Sequence, residues 1–270
     1  MYVRKKHVEV EHEKALSILC NLKVEYFDHP NLIKVLGYCL NEQQLYCIYE
    51  RIRYTSLYKH INEGNLSWVS RVKIAVAAAQ GLSFLHQRMH QAYQQFTSKF
   101  ILVDEDFDAQ LSDFEVDDSF LTSGSRLLQN NNFYAMPDGW SRYQILDRFD
   151  GLTELPYEIG FGVKSEIYAF GVVLLEILTG KVYDYYDLSR PLGKRKMVEW
   201  ATPLLTDEGN LGMVMDPKLH RTYSPSGAFK LAQLVLNCLQ PIEDNRPSMD
   251  EILQLLYQCY QEEMKFKHNN

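Results

Sequence analysis

The sequence has few of the residues that mark fibrous, disulfide-bonded or membrane-spanning chains. Fourteen glycines and nine prolines in 270 residues are too few for a collagen-like or linker-dominated protein. The five cysteines are odd in number, irregularly spaced and without a C-x-x-C pair, which argues against a disulfide framework or zinc site. The longest apolar run, 167–178, is about half the length of a membrane span. No apolar signal-peptide core follows the first charges, and Tyr2 stands where N-myristoylation requires glycine, so we expect no direct membrane anchor.

The chain also lacks an excess of basic charge. It has 28 Lys and Arg against 35 Asp and Glu, a net charge of −7, so no basic face for nucleic acid is expected. Eight of the acids lie in 104–118, a stretch without a base. Its acids at 104, 106 and 108, with Ser112 and Glu115, have the spacing of an EF-hand calcium loop. Ala109 occupies the glycine position of that loop and the flanks favour strands, so we do not expect calcium binding.

Apolar residues make up 46 % of the chain, which is enough for a packed core. Short β-forming runs predict strands in the first third, and apolar residues spaced by three and four predict helices in the rest. Ser67 is a candidate helix cap and Gly180 a candidate helix stop. Strands followed by helices indicate an α+β fold with segregated layers. Strands are predicted over 32–39, 45–49, 100–103 and 109–111; helices over 8–22, 67–87, 164–179, 197–205, 228–239 and 249–260; and a loop over 117–160.

Several stretches resemble a eukaryotic protein kinase domain, most of all that of plant receptor-like cytoplasmic kinases. They are HPNLIKVLGYC (29–39), LSWVSRVKIAVAAAQGLSFLH (66–86), AQLSDF (109–114), VKSEIYAFGVVLLEILTGK (163–181), MVEWATPLL (197–205), VMDPKL (214–219) and CLQPIEDNRPSM (238–249). The resemblance implies a bilobal protein kinase-like fold with a shortened N-terminal β-lobe and a mainly helical C-terminal lobe. It divides the chain into a partial N-lobe over 1–52 (third strand, helix C, fourth and fifth strands), a C-lobe over 53–262 and a tail over 263–270. The family's glycine-rich loop is absent, so we expect an N-terminal truncation.

The catalytic loop departs most from the family pattern. By resemblance, Gln95 replaces the aspartate that accepts the substrate hydroxyl proton, and a neutral amide is not a base. Thr97 replaces the lysine that steadies the transferred phosphate, and Phe100 replaces the asparagine that holds magnesium. Gln94 replaces the arginine that binds a phosphorylated activation loop. No catalytic residue of this loop is therefore intact.

The nucleotide and metal positions are also altered. By resemblance, Arg4 stands at the ATP-anchoring lysine position, with Lys5 one residue away as an alternative register. Asp113 is the one retained metal candidate, and Phe114 keeps the structural phenylalanine of the DFG motif. Glu115 replaces its glycine and adds negative charge beside the expected triphosphate position. We therefore expect no cofactor, although the family uses ATP and magnesium.

Two further positions are structural by resemblance. Glu166 stands where the family has an aspartate that anchors the catalytic-loop backbone. Arg246 corresponds to the structural arginine of the C-lobe, and either Glu154 or Glu158 is a candidate to pair with it. These scaffold positions are retained while the catalytic positions are lost.

The resemblance and the losses together predict a pseudokinase and not an enzyme. It would act as a signalling scaffold, adaptor or decoy in plant receptor and defence signalling. Two alternatives stay open: a weakly active serine/threonine protein kinase that binds ATP, and a truncated gene product with little function. The implied partners are receptor kinases, active cytoplasmic kinases or immune receptors, and not nucleic acid. The implied location is the cytoplasm, with the plasma membrane reached through a partner.

Overall fold

The computed structural model describes residues 2–6, 29–41, 44–49, 54–89, 96–112, 163–182, 197–219 and 222–268. Three strands form an antiparallel sheet in the order β1-β3-β2: β1 (Tyr2–Lys6), β2 (Val35–Asn41) and β3 (Gln44–Tyr49). Asn41 pairs with Gln44, which confirms the predicted hairpin. The strand predicted from 32 begins only at Val35, because Leu32 instead forms an isolated parallel bridge with Leu111. The predicted helix over 8–22 and loop over 117–160 lie outside the described residues.

A second small sheet lies at the start of the helical part. It comprises β4 (Thr55–Ser56), β5 (Ile101–Val103) and β6 (Ala109–Leu111), all antiparallel, with β5 in the centre. All three residues of β5 are buried. Phe100, predicted as a strand residue, belongs instead to the 3-10 turn Ser98–Phe100 that precedes β5.

Most of the other described residues are helical. Ser67 caps the second helix as predicted: its Oγ accepts a hydrogen bond from the backbone N–H of Ser70 at 3.2 Å. The helix predicted from 228 begins at Pro225, because Ser224 caps it and accepts from Gly227. The helices are α1 (Leu57–Glu63), α2 (Trp68–Met89), α3 (Val163–Thr179), α4 (Met197–Leu205), α5 (Leu211–Val214), α6 (Pro225–Cys238) and α7 (Met249–His268).

The core is built around α3, which is buried on nearly every side. Ile167, Phe170 and Leu174 are fully buried, α6 packs on α3, and α7 packs on both α2 and α6. Gly180 ends the helix as predicted, with φ of +63° and its N–H bonded to the carbonyl oxygen of Glu176 at 2.9 Å. The α+β prediction is therefore confirmed. No helix within the described ranges is long and apolar enough to cross a membrane.

A buried ion pair joins α2 to the segment that follows α5. Arg71, with none of its side chain exposed, donates to Asp216 Oδ2 at 2.5 Å and to the carbonyl oxygens of Leu66 and Ile177. The backbone N–H of Asp216 in turn donates to the carbonyl oxygen of Leu178 at 2.9 Å. These bonds fix the C-terminal end of α3 against α2.

Candidate functional site

Two of the substituted catalytic-loop positions lie on one short turn before β5. Thr97 caps this turn: its Oγ1 accepts from the N–H of Lys99 at 3.3 Å, and its carbonyl oxygen accepts from the N–H of Phe100 at 3.0 Å. Ser112, just after β6, donates its N–H to the carbonyl oxygen of Phe100 at 2.9 Å. The turn is thus held on both sides although its side chains differ from the family pattern.

Phe100 is part of the hydrophobic core. Its side chain is 9 % exposed and belongs to the main apolar cluster. A phenyl ring has no lone pair for magnesium, which prefers oxygen ligands. Within the described part of the chain, no group of three or more His, Cys, Asp or Glu could hold a metal ion. The residues here do not fit a magnesium ion at position 100.

The positive charge of this turn is on Lys99. Its Nζ lies 5.2 Å from the centre of the Tyr58 ring on α1, within cation–π distance. Thr97 is exposed and uncharged. The turn therefore carries one cation, two residues after the position of the family lysine and directed at α1.

Glu166 is buried at the first turn of α3 and bonds to α2. The Nε2 of His86 and the Oε2 of Glu166 are 2.6 Å apart, with 10 % and 0 % of the two side chains exposed. A carboxylate oxygen can only accept, so the imidazole donates from Nε2. The anchoring role predicted for Glu166 stays a prediction, and its described partner is a side chain on α2.

One turn further along α3, Phe170 contacts the residue that follows Gln95. The ring centres of Phe96 and Phe170 are 6.1 Å apart with a 51° interplanar angle. Both rings are buried, with 4 % and 0 % exposure. The contact ties the beginning of the catalytic turn to α3.

Arg246 joins the beginning of α3 to the segment before α7. Its three guanidinium nitrogens donate to the carbonyl oxygens of Gln240, Lys164 and Pro241 at 2.8, 2.9 and 3.2 Å. The Nζ of Lys164 donates in return to the Arg246 carbonyl oxygen. Burial lowers the pKa of Arg246, and the guanidinium stays charged at neutral pH. Its suggested partners, Glu154 and Glu158, lie outside the described residues.

The segment before β2 is bonded to β6, the strand that leads to Asp113. The side-chain amide of Asn31 donates to the carbonyl oxygen of Ala109 at 3.0 Å, and the backbone carbonyl oxygen of Asn31 accepts from the N–H of Leu111 at 2.8 Å. His29 stacks on Phe84 of α2 with ring centres 4.8 Å apart. These bonds position β6 against α2.

Residues 104–108, the first part of the acidic stretch, form a hairpin turn between β5 and β6. Asp104 Oδ1 accepts from the N–H groups of Asp106 and Asp108 at 3.0 and 2.8 Å, which closes the turn. Lys73 on α2 pairs with Asp108 at 2.7 Å and donates to the Asp106 carbonyl oxygen at 3.0 Å. Asp104 therefore closes the turn, and Asp108 has a basic partner in Lys73. The sequence did not predict this pair.

Four predicted site residues have side chains outside the described part of the structure. The backbone of Arg4 lies in β1 opposite Cys47 of the central strand β3. Gln95, Asp113 and Phe114 lie outside the described residues, so their roles stay predictions.

The sequence reasoning also missed the contacts of His86 and Phe96. A signal existed for the first: His86 continues the apolar face of Leu82 and Leu85, and Glu166 precedes the buried Ile167. An ionisable group on an apolar face needs a buried partner. Complementary groups on two such faces predict a pair.

The chain was compared with known proteins. A family model described as "Protein tyrosine and serine/threonine kinase" matches residues 3–256. The chain is 36 % identical over 246 residues to "Probable serine/threonine-protein kinase PBL11" of Arabidopsis thaliana, covering 86 % of this chain and 58 % of the relative. It is 37 % identical to an "EPD1-interacting receptor-like cytoplasmic serine/threonine-protein kinase" of Nicotiana benthamiana, and the match covers 84 % of this chain and 47 % of that relative. It is also 37 % identical to "Serine/threonine-protein kinase PBL35" of Arabidopsis thaliana, and the match covers 84 % of this chain and 44 % of that relative. The chain thus spans about half the length of these relatives.

These names contradict the prediction that the chain is not an enzyme. All three relatives are named as serine/threonine-protein kinases, so the family indicates phosphoryl transfer. The prediction rested on the substituted catalytic-loop positions and on the absent glycine-rich loop. Physically, losing one group lowers a rate by a finite factor and leaves the contributions of binding and positioning in place.

Proposed function

Because the chain belongs to the protein tyrosine and serine/threonine kinase family, we propose that it is a serine/threonine protein kinase of low activity. The observation that carries this proposal is the similarity to relatives named for that activity. The described scaffold supports it, since α3, the capped turn before β5 and the Arg246 corner are all formed. The substrate class is a serine or threonine hydroxyl of a protein.

The low rate follows from the chemistry of the catalytic-loop substitutions. A general base contributes about 10²- to 10⁴-fold to a rate, and the amide of Gln95 cannot supply it. Thr97 brings no charge to the transferred phosphate, and buried Phe100 brings no metal ligand. The three losses do not multiply, because groups that act together contribute non-additively.

ATP is the phosphate donor that this family activity requires, and we propose that it binds weakly. Lys99, on the turn that carries Thr97 and Phe100, has its ammonium group over the ring of Tyr58. Magnesium would neutralise phosphate charge when bound. Of the two positions that hold magnesium in the family, position 100 carries a phenylalanine without a donor atom, which leaves Asp113 as the candidate.

A second role, as an adaptor that holds other signalling proteins, is favoured by the burial of Phe100. The side chain at a magnesium position has become part of the core, so the turn is stabilised without the ion. The Nicotiana relative is named for an interaction. We propose receptor kinases, active cytoplasmic kinases or immune receptors as partners, with a cytoplasmic location and the plasma membrane reached through the partner.

Restoring the family residues tests the proposal. The variant Q95D/T97K/F100N regains the base, the phosphate cation and the metal ligand, and we expect it to transfer labelled phosphate to a serine peptide at least 100-fold faster than the wild type. Q91D makes the same amide-to-acid change four residues away, and we expect no gain from it. A restored chain that keeps the circular dichroism spectrum of the wild type and transfers nothing would overturn the proposed function.

A further inference from the structure

The turn before β5 brings two side chains to the surface of the protein, Thr97 and Lys99. The other two residues of the turn, Ser98 and Phe100, are buried. Thr97 stands at the position of the family lysine that steadies the transferred phosphate, and Phe100 at that of the asparagine that holds magnesium. Lys99 therefore lies between two positions that the family uses for the reaction, and its own side chain is partly exposed.

The ammonium group of Lys99 lies on the side of the turn that faces α1. Its Nζ is 5.2 Å from the centre of the Tyr58 ring, and Tyr58 is also partly exposed. α1 packs on the turn and buries its own Leu57 and Ile61, which fixes the ring in place. None of the family's phosphate and metal positions, 97, 100 and 113, lies on α1. The ammonium group is therefore placed beside the reacting phosphate and not on it.

The surface formed by this turn and the first turn of α1 is basic. Residues 57–60 and 98–100 contain no acid, whereas Lys59 and Lys99 are cations. An ammonium group has three N–H donors, so it can bind a carboxylate while one of its sides lies over an aromatic ring. A basic side chain at the same place would be repelled. The ligand that fits this surface is therefore an acidic side chain.

The separation of Thr97 and Lys99 along the chain indicates where such an acid stands in a substrate. Consecutive Cα atoms are about 3.8 Å apart, so the Cα atoms of these two residues are separated by less than about 8 Å. An extended peptide advances about 3.3 Å per residue. With the accepting serine at the phosphate, an acid two or three residues away in the peptide comes within reach of Lys99.

We propose that Lys99 is a substrate-specificity residue, which selects peptides with aspartate or glutamate two or three residues from the serine that accepts phosphate. The proposal rests on the proposed function, because it names the substrate class of that same site. Lys99 binds the substrate and takes no part in the transfer of the phosphate. Tyr58 is a positioning residue, since its ring holds the ammonium group on the side of α1.

Equilibrium binding of fluorescent peptides tests the selection without any transfer. Three peptides carry a central serine, with aspartate, arginine or alanine at the second and third positions on each side. We expect the wild type to bind the aspartate peptide about fivefold more tightly than the arginine peptide. K99M, which keeps the length of the side chain, loses this preference, and K99E reverses it. K265E makes the same charge change at an exposed lysine of α7 and keeps the preference.

The proposal is overturned if the wild type shows no preference for the aspartate peptide, or if K99M and K99E leave the preference unchanged. K99M alone decides if K99E does not fold.

Transfer by the restored Q95D/T97K/F100N chain separates this inference from the proposed function. There we expect K99M to raise the KM for the aspartate peptide about fivefold. A fall in kcat with an unchanged KM would place Lys99 in the chemical step and overturn the proposal. A folded restored chain that transfers nothing overturns the proposed function. The binding order then still decides the selection: reversal by K99E supports it, and an unchanged order overturns it.

Discussion

Removing the negative charge of Asp216 is expected to destabilise the protein severely. D216N keeps the shape of the side chain but leaves the Arg71 guanidinium, which is fully buried, without its counter-charge. The Arg71 bonds to the carbonyl oxygens of Leu66 and Ile177 remain, yet they do not neutralise it. Breaking a buried pair in this way costs about 3–5 kcal/mol.

A matched variant isolates burial as the cause. D108N makes the same change in the Lys73–Asp108 pair, whose 2.7 Å distance is similar but whose side chains are 38 % and 67 % exposed. Exposed pairs contribute at most about 1 kcal/mol, so we expect D108N to have little effect. The assay is urea unfolding followed by tryptophan fluorescence, with both variants and the wild type compared at one pH. Equal losses of unfolding free energy for D216N and D108N would refute the reasoning.

Three other predictions follow from described groups. Burial raises the pKa of Cys238 and of Cys259 to about 12, so iodoacetamide at pH 8 should label both only after unfolding, as mass spectrometry of the labelled peptides would show. Burial also raises the pKa of Glu263, so the wild type should lose stability relative to E263Q as pH rises above about 4. The hydrogen bond from Lys230 lowers the pKa of Glu262, so the wild type should gain stability relative to E262Q over the same pH range. Urea unfolding measures both differences in unfolding free energy. Gly180→Ala should cost at least about 1 kcal/mol in the same assay, because φ is +63° and an added Cβ would overlap the carboxylate of Asp216.

The ends of a helix could be predicted where a capping residue lies within one turn of them, and could not be predicted where a distant contact sets them. Ser67 and Gly180 mark the start of α2 and the end of α3 because a cap and a left-handed glycine act within one turn. The start of α6 was missed because the Ser224-Pro225 signal was not used. The short α1 was not predicted at all. The last helix runs to His268, beyond the predicted end near 260, because buried Glu263 bonds to the N–H of Ser224 and holds the final turns.

The candidate site was less predictable because its contacts are distant in sequence. Thr97 and Phe100 could be assigned from the aligned strand that follows them. The His86–Glu166 bond joins residues 80 positions apart, and only packing of α2 on α3 brings them together. Lys73 reaches the acidic hairpin across a similar tertiary contact. A residue-by-residue comparison with a family pattern shows which groups are absent, whereas the rate that remains depends on the groups that still position the substrate.

The most direct test of the central claim is single-turnover transfer of labelled phosphate by the wild-type chain. The purified protein is mixed with labelled ATP, magnesium and a serine peptide, beside D113N, which removes the retained metal candidate. We predict slow labelling of serine by the wild type that exceeds the D113N blank. Labelling equal to that blank would contradict the assignment of protein kinase activity.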